Sequence, residues 1–380
     1  MTAAPTFHYV VPGRIELVGK HVDYAGGRSL TCATTCGIRA TATRLDEPML
    51  HVIDADHGGE VRVALDDSAS AEGPTWGAYA SAVARRLARD FPRARRGARV
   101  MMRSDLPSSA GLSSSSALVV TLAMSLVDAN ELERDEVWTA AVPTPIAMAE
   151  YVAAMETGVA YGDFAGDRGV GVRGGAQDHV AIVCSRAGHV GQYRYLPPRE
   201  ERFVAWPTDY VLALGVSGVH AAKRGNARES YNRLSDAMRE VAARGAPANP
   251  SPELAERLGQ FREETDVIVP GVADALATGD LARLGVLVDR SQSLAERVLR
   301  NQVPETVFLA REARSKGALA ASAFGAGFGG AVWAMVARQN ADEFLLRWRQ
   351  GYERAFPARR ARARWILTSP AASAHRQPTT

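Results

Sequence analysis

The sequence predicts a two-domain protein that mixes β-strands with α-helices. A chain of 380 residues is longer than one typical hydrophobic core supports. Its first third alternates short extended segments with tight turns, whereas residues 252–315 have a mainly helical pattern. The pattern relaxes near residues 200–208, so we expect one domain at 1–205 and a second at 206–380.

Strands dominate the predicted elements of the first third. Alternating apolar and polar residues between Gly and Pro indicate strands in "FHYVV", "RIELVG", the hairpin from "MLHVIDAD" to "EVRVAL", and "GARVMMRSDLP". Apolar residues at helical spacing predict helices through "TWGAYASAVARRLARDF", from Ser113 to Asn130, and through "ERDEVWTAAVPTPIAMAEYVAAMETG".

The remaining chain is predicted to alternate loops, strands and helices. Residues 162–175 are dense in glycine and indicate a loop, followed by two strands, "HVAIVC" and "HVGQYRYL". Further on, "YVLALGV" indicates a strand, residues 226–244 a helix, and "ALAASAFGAGFGGAVWAMVA" two strands around a glycine turn. The last residues, "SAHRQPTT", are expected to fray.

Composition and charge narrow the classes of function. A formal net charge of +3 is too small to imply a nucleic-acid partner, and the arginine-rich "ARRARARW" indicates a solvated edge. Cys32, Cys36 and Cys184 form no Cys-x-x-Cys pair. For Cys32 and Cys36 we expect two small buried thiols rather than half of a metal site, because nearby ligands to complete such a site are absent from the sequence. No apolar run approaches the ~20 residues of a membrane span and no secretory signal pattern is present, so a cytoplasmic location is expected.

The stretch "LPSSAGLSSSSALVV", Leu106 to Val120, carries the first chemical signal. Four consecutive serines, Ser113 to Ser116, follow Gly111 and lead into an apolar helix. A glycine-containing loop that opens a helix presents unpaired N–H groups and the positive end of the helix dipole, and both attract phosphate. The alternative is a serine N-cap on an ordinary buried helix. No Gly-Lys-Ser/Thr follows, so the stretch is not a Walker A loop.

Two further glycine-rich segments favour the phosphate site. "PGRIELVGKHVDYAGG" (Pro12 to Gly27) and "GAGFGGAV" (Gly325 to Val332) resemble motifs one and three of the GHMP small-molecule kinases, with the serine run as motif two. The chain most resembles the galactokinase branch, whose first motif is approximately PGRxNLIGEHxDYxGG. This resemblance implies an α+β fold with a ribosomal-S5-domain-2-like N-terminal domain and a ferredoxin-like C-terminal domain. It leaves open whether the protein is a monomer or a homodimer.

The resemblance implies transfer of the γ-phosphoryl group of ATP to a sugar hydroxyl, which in galactokinases is the anomeric one. Asp178, in "GGAQDHVA", matches the catalytic aspartate, whose carboxylate can accept or orient the proton of the attacking hydroxyl. Arg14 matches the paired arginine, whose charge would stabilise the transferring phosphoryl group. Taken alone, Asp178 could be an ordinary turn aspartate. The phosphates are expected to contact Ser109, Gly111, Leu112, Ser113, Ser114, Ser115 and Ser116.

The resemblance also implies a Mg²⁺ ion, held by Ser115 and by a glutamate upstream of Asp178. The segment between that glutamate and Asp178 is longer here than in galactokinases, so the choice of glutamate is open. Glu156 is the first candidate because it ends a helical pattern with Gly158 following, and Glu150 is the second. Either could instead be an ordinary helix carboxylate.

Four further positions match residues that contact the sugar in galactokinases: His21, Asp23, the backbone N–H of Gly175, and Tyr231 in "ESYNRL". Trp76 and Tyr79 are candidates for the adenine pocket. For Tyr231 the alternative is a half-buried aromatic on a helix. For Trp76 and Tyr79 it is core packing at helical spacing.

Lys20 departs from the galactokinase pattern, which carries at this position a glutamate that faces the C6 hydroxyl of the sugar. The exchange replaces a hydrogen-bond acceptor with a cation. We therefore predict a sugar with an anionic group far from C1, such as a heptose or octose phosphate or a uronate. In the alternative, Lys20 turns towards a neighbouring carboxylate and the enzyme phosphorylates galactose.

A second class of function fits the same resemblance. Some galactokinase-like proteins are sensors that bind ATP and sugar without turnover, and these tend to lose part of the serine motif. Here Arg14, Asp178 and the run from Ser113 to Ser116 are all present. The sequence therefore favours an active kinase.

Overall fold

The computed structural model describes residues 4–66, 68–70, 75–107, 110–172, 174–219 and 226–378, with the backbone alone for 226–234. These residues form two β-sheets that are covered by helices. No helix in these ranges is both long and apolar enough to cross a bilayer.

The first sheet is built around one long antiparallel pair, β1 (Thr6–Val18) and β2 (Arg28–Leu45). The other strands of this sheet are β3 (Met49–Asp54), β4 (Glu60–Ala64), β5 (Gly97–Ser104), β6 (His189–Arg194), β7 (Arg199–Ala205) and β12 (His375–Arg376). The pairing of β1 with β2 is irregular between Pro12 and Arg14. Irregularities of this kind redirect a side chain locally, and here the redirected region begins the candidate site.

Helices pack on the first sheet and on each other. They are α1 (Gly77–Asp90), α2 (Ser114–Ala129), α3 (Glu136–Ala141), α4 (Pro145–Thr157) and α5 (Gln177–Cys184). Helix α2 is buried around most of its circumference, between β1, β2 and β5 and helices α1, α4 and α5. A helix that is apolar on nearly all sides belongs in the interior, so its N-terminus is held in a fixed position.

The second sheet has the strand order β11-β8-β10-β9 and is antiparallel. Its strands are β8 (Tyr210–Val216), β9 (Ala320–Ala323), β10 (Ala331–Ala337) and β11 (Arg364–Thr368). The helices of this half are α6 (Asn226–Arg244), α7 (Pro252–Arg262), α8 (Val269–Thr278), α9 (Leu281–Leu294), α10 (Pro304–Ser315) and α11 (Ala341–Ala355). A π-helical segment, Glu263–Ile268, joins α7 to α8.

Most of the predicted elements are confirmed. The β3–β4 hairpin, the helices α1 and α2, the helix at 226–244 and the two strands around the glycine turn all lie where the patterns indicated. The arginine-rich segment near the C-terminus forms a turn and the start of the edge strand β11, whose first residue, Arg364, is exposed.

Three local predictions are wrong. "HVAIVC" is not a strand but most of helix α5. Its residues are buried against α2, α4 and β1, and a segment that is apolar on every side has no periodicity to separate helix from strand. The two strands predicted around Pro12 are one continuous strand. The predicted fraying is wrong for His375–Arg376, which pairs with β1, whereas Thr379 and Thr380 lie outside the described residues.

The predicted domain boundary falls between β7, in the first sheet, and β8, in the second. The C-terminal strand β12 nevertheless returns to the first sheet. The division into domains at 205/206 therefore stays a prediction. The last strand, β12, follows residue 206 in sequence but belongs to the first sheet.

Cysteine burial follows the sequence prediction in part. Cys32 is buried, and burial raises the pKa of its thiol to about 12. Cys36 and Cys184 are partly exposed.

Candidate active site

The serine run forms the start of α2. Ser113 has a left-handed backbone (φ 58°) directly before the helix, and Gly111 also has a positive φ of 77°. The Ser113 side chain does not cap the helix, so the predicted alternative of a serine N-cap does not hold. Ser114 is exposed and Ser115 is half-buried, so the first turn of α2 is open on that side.

The glycine turn between β9 and β10 packs against the loop that precedes α2. Gly325 and Gly330 both have positive φ, at 78° and 84°. A Cβ on Gly325 would lie 3.3 Å from the carbonyl oxygen of Gly111, and one on Gly330 would lie 3.4 Å from that of Ala110. Side chains at these positions would push the two loops apart. The second and third motifs therefore meet at one place, between the two sheets.

Arg14 and Asp178 form an ion pair beside the start of α2. Nε of Arg14 donates to Oδ1 of Asp178 at 2.7 Å. The guanidinium also donates to the carbonyl oxygen of Gly111, and the hydroxyl of Ser113 donates to Oδ2 of Asp178. One carboxylate thus connects β1, the start of α2 and the first turn of α5. Arg14 is 3% exposed, whereas the Asp178 side chain is 29% exposed, so the carboxylate is the accessible member of the pair.

The charge of Arg14 is secured by its partner. Burial alone would lower the pKa of Arg14, but the charge and hydrogen bond of Asp178, together with the charges of Glu16 and Asp23, outweigh burial and raise that pKa. An arginine with a raised pKa stays protonated at every physiological pH. The site therefore contains a fixed positive charge.

Asp23 adds a second carboxylate next to Asp178. The backbone N–H of Gln177 donates to Oδ2 of Asp23 at 3.3 Å. A Cβ on Gly175 would collide with the same oxygen, so only glycine fits there. Burial, and then the negative charge of Asp178, raise the pKa of Asp23. The structure therefore brings together Asp23, Gly175 and Asp178, as the resemblance implied.

Glu156 is the carboxylate that meets the serine helix. It lies at the end of α4, which Gly158 terminates in a left-handed conformation. Its Oε2 accepts a hydrogen bond from the Ser116 hydroxyl at 3.0 Å, and Nε2 of His179 lies 3.0 Å from the same oxygen. Carboxylate and hydroxyl oxygens are the donors that Mg²⁺ prefers, so these residues fit a magnesium site beside the half-buried Ser115.

Lys20 does not face the cleft. Its side chain is 1% exposed, and Nζ donates to the hydroxyls of Ser291 at 2.9 Å and Ser322 at 2.8 Å. Ser291 in turn donates to Glu264, whose Oε2 accepts the backbone N–H of Gly19 at 2.9 Å. Burial lowers the pKa of Lys20. The predicted contact between Lys20 and an anionic substrate is therefore not supported, because α9 and β9 already satisfy the ammonium group.

His21 is also turned into the protein. It is 6% exposed, with Nδ1 3.2 Å from the hydroxyl of Tyr24 and Nε2 3.1 Å from the carbonyl oxygen of Ala326. Nδ2 of Asn301 lies 3.0 Å from the same Nε2. These contacts attach the turn that carries Asp23 to the glycine turn of the other sheet.

The remaining predicted residues are placed less directly. Trp76 and Tyr79 are partly buried at the start of α1 and pack against the main core. Ser109 lies outside the described residues, and for Tyr231, in α6, only the backbone is described. Leu112 is buried, and its carbonyl oxygen accepts the backbone N–H of Arg14 at 3.2 Å.

Sequence reasoning missed the residues that support the site from behind. The side-chain amide of Gln177 donates to Glu16 on β1, two residues after Arg14, and this bond ties α5 to β1. His179, which contacts Glu156, and Asn301, which contacts His21, were missed as well. Glu16 carried a signal, because a glutamate replaces the asparagine of the galactokinase pattern there.

Comparison with known families gives the same assignment from both halves of the chain. The model "GHMP kinases N terminal domain" matches residues 78–186, and "GHMP kinases C terminal" matches residues 272–354. The chain belongs to the GHMP kinase family, which consists of ATP-dependent phosphotransferases. Within that family, "Galactokinase galactose-binding signature" matches residues 2–44, which hold Arg14, His21 and Asp23.

Individual relatives point to the same branch. A galactokinase of Streptomyces coelicolor is 28% identical over 395 residues, which cover 98% of this chain and 95% of the relative. A galactokinase of Pyrococcus furiosus is 28% identical over 340 residues, covering 87% and 89%. Among solved structures, Lactococcus lactis galactokinase in complex with galactose has a TM-score of 0.80 at 20% identity and covers 97% of this chain and 95% of that one. The two-domain GHMP kinase fold is therefore confirmed.

Proposed function

We propose that this protein is a sugar 1-kinase that transfers the γ-phosphoryl group of ATP to the anomeric hydroxyl of galactose. The observation that carries the proposal is the position of Asp178. Its carboxylate contacts both the buried Arg14 and Ser113 at the open start of α2, next to Asp23 and Gly175. A phosphate-binding helix start and a carboxylate suited to an attacking hydroxyl thus share one cleft.

The chemical roles follow from these contacts. The N-terminal turn of α2 supplies backbone N–H groups and a partial positive charge for the phosphates. Asp178 accepts or orients the proton of the sugar hydroxyl, and Arg14 fixes the carboxylate and offsets charge on the transferring phosphoryl group. Phosphoryl transfer needs little more from the protein than this positioning and charge stabilisation.

A magnesium ion would be held by the Glu156 carboxylate and the Ser115 hydroxyl. When bound, the ion neutralises charge on the β- and γ-phosphates. The Ser116 hydroxyl holds Glu156 in its orientation by the hydrogen bond at 3.0 Å. We expect chelation with EDTA to stop turnover and added Mg²⁺ to restore it.

Galactose is the substrate that the observations favour. The galactose-binding signature and the galactokinase relatives support it. The half-buried Asp23 carboxylate and the adjacent Gly175 are the proposed contacts to sugar hydroxyls. Proposed partners outside this group are Tyr231 for the sugar, Ser109 for the phosphates, and Trp76 with Tyr79 for the adenine.

A neutral sugar replaces the anionic substrate predicted from Lys20. The ammonium group of Lys20 is enclosed by Ser291 and Ser322 and is not accessible from the cleft. No relative or family model named above points to a sugar phosphate or a uronate. The alternative in which the substrate is galactose therefore has the better support, although Lys20 donates to two serine hydroxyls rather than to the neighbouring carboxylate that this alternative expected.

The test is an ADP-release assay over galactose, glucose, galacturonate and a heptose 7-phosphate. We expect turnover with galactose, and ³¹P NMR of the product should show phosphorus coupled to the anomeric proton. Turnover with the heptose phosphate alone would restore the anionic-substrate hypothesis. Saturable binding of ATP and galactose without ADP release would identify a sensor, and phosphorylation at any other hydroxyl would also contradict the proposal.

A further inference from the structure

His179 is a buried histidine that the proposed reaction leaves without a role. It follows Asp178 in the first turn of α5 and is 2% exposed. Neither ring nitrogen makes a hydrogen bond within the described part of the chain. Buried polar groups in native proteins nearly always have a partner, so an imidazole with both nitrogens unsatisfied indicates a ligand that has yet to bind.

The surroundings of His179 show where that ligand would lie. Nε2 is 3.0 Å from Oε2 of Glu156, which is itself 5% exposed. That distance would suit an ion pair, but the N–H direction is outside the range of a hydrogen bond to this oxygen. The two atoms are therefore close without pointing at each other.

Two donor atoms that bind the same octahedral cation are also close together without pointing at each other. With metal–ligand distances of about 2.1 Å at right angles, neighbouring donor atoms lie about 3 Å apart and each is directed at the ion rather than at the other donor. The hydroxyl of Ser116, in contrast, points at Oε2 of Glu156 and donates to it at 3.0 Å, so it positions the carboxylate. Among the residues with described positions, no third His, Cys, Asp or Glu joins the group, so the other donors would be serine hydroxyls, phosphates or water.

We propose that His179 and Glu156 together coordinate the divalent cation of this enzyme. The inference rests on the metal role that the proposed function gives to Glu156, and it adds a nitrogen ligand to that site. An imidazole strengthens binding along the series Mn²⁺, Co²⁺, Ni²⁺ more than it strengthens binding of Mg²⁺. The site should therefore prefer those ions over Mg²⁺ more strongly than a site of oxygen donors alone.

The direct test is pulsed EPR of the protein with Mn²⁺ alone. We expect ¹⁴N hyperfine coupling of a directly bound imidazole in the wild type, and its loss in His179→Ala with at least about tenfold weaker Mn²⁺ binding. His189→Ala is the matched control, because His189 lies on β6 and its Nδ1 contacts the carbonyl oxygen of Ala187. That variant should keep both the coupling and the affinity.

Mn²⁺ bound to the wild type without ¹⁴N coupling, or coupling unchanged in His179→Ala, would overturn the inference. Should the alanine variant fail to fold, wild-type protein labelled with ¹⁵N-histidine decides the matter, because the hyperfine pattern must change if a histidine is bound. His179→Gln, which retains a polar side chain, provides a second variant for the loss of coupling.

The measurement requires no turnover, so its failure is distinguishable from failure of the proposed function. A nitrogen-coupled Mn²⁺ signal in a protein that phosphorylates no sugar would support the site and reject the kinase assignment. Sugar phosphorylation with Mn²⁺ bound by oxygen alone would do the reverse.

Discussion

Arg14 and Lys20 belong to the same segment, Pro12 to Gly27, and both are buried cations, yet they have opposite surroundings. Arg14 pairs with Asp178, whose carboxylate is accessible from the cleft. Lys20 binds the hydroxyls of Ser291 and Ser322, on α9 and β9 of the other half of the protein. Arg14 therefore lies in the candidate site, whereas Lys20 connects the two halves of the protein away from the cleft.

The pKa values follow the same division. Burial is the largest single influence on both groups. At Arg14 the charge of Asp178, its hydrogen bond and the charges of Glu16 and Asp23 together outweigh burial and raise the pKa, whereas at Lys20 burial prevails and lowers the pKa despite Glu264 and Glu16 nearby. A guanidinium remains charged in such a place, and a buried ammonium loses its proton more readily. A cation in a recognised motif therefore reveals its role only when its partner is known.

The largest expected effect is the loss of activity when Asp178, the ion-pair partner of Arg14, is replaced. Asp178→Asn keeps the size of the side chain but removes the negative charge and the capacity to take a proton. We expect kcat for the sugar to fall about 10³-fold. Steady-state kinetics on protein shown to be folded by circular dichroism gives the measurement.

Asp342→Asn, at an exposed position in the first turn of α11, is the matched control and should retain wild-type kcat. A kcat for Asp178→Asn within a few fold of the wild type would show that the ion pair has a structural role only. The contrast with Lys20 would then disappear.

The next largest expected effect is the loss of stability when Lys20 is replaced. Lys20→Met removes the ammonium group that donates to Ser291 and Ser322, and it leaves the buried Glu264, which accepts from Ser291, without this nearby cation. We expect the free energy of unfolding to fall by about 3 kcal/mol. The KM for galactose should change little, because Lys20 does not reach the cleft.

Chemical denaturation measures the stability change. Lys316→Met is the matched control, since Lys316 pairs with Glu312 near the surface at 3.0 Å, and its loss should cost about 0.5 kcal/mol. A large rise in KM with unchanged stability would show that Lys20 contacts the substrate after all.

The sequence was sufficient where the signal is local or tied to an ordered motif. The apolar run marks helix α2, and the resemblance to the galactokinase motifs implies that Arg14 lies beside Asp178. Gly175 also lies beside Asp23, as expected for two residues that the resemblance assigns to one sugar. A larger residue at this position would collide with the Asp23 carboxylate.

The directions of some side chains could not be predicted from the sequence, because partners that are distant in sequence determine them. The direction of Lys20 is set by Ser291 and Ser322, which belong to α9 and β9 and carry no motif. The hydroxyl of Ser113 binds Asp178 rather than capping α2, and this choice follows from the left-handed backbone at Ser113. The sequence of helix α5 does not distinguish a helix from a strand, because burial on all sides removes the periodicity on which prediction relies.

The smallest expected effect is a change in the pH dependence of stability caused by Glu16, which lies between Arg14 and Lys20 in sequence. Glu16 is buried on β1 and accepts a hydrogen bond from Gln177. Burial raises the pKa of Glu16 from 4.5 to about 8, against the charges of Lys20 and Arg14, which lower it. Its Oε1 has no hydrogen-bond donor among the described residues, as suits a carboxyl group that keeps its proton.

The sign of the pH effect follows from these two values. From pH 4.5 to about 8 the unfolded chain has released a proton that folded Glu16 retains, so the free energy of unfolding falls as the pH rises through this window. Glu16→Gln has no such titration. Between pH 6.5 and pH 8.5 we expect the wild type to lose on the order of 2 kcal/mol relative to the variant, because only in the wild type does unfolding release a proton from Glu16 in this range.

Urea denaturation at several pH values measures this difference. Glu256→Gln, at an exposed position on α7, should follow the wild type across the whole range. Repeating the comparison in a Lys20→Met background removes a charge that lowers the pKa of Glu16. That pKa should then rise further, so the gap between proteins with and without the Glu16→Gln substitution should widen there. Parallel curves for the wild type and Glu16→Gln would mean that Glu16 is ionised throughout. The segment would then hold a buried charge pair between Glu16 and Lys20 rather than a neutral carboxyl beside a weakly basic lysine.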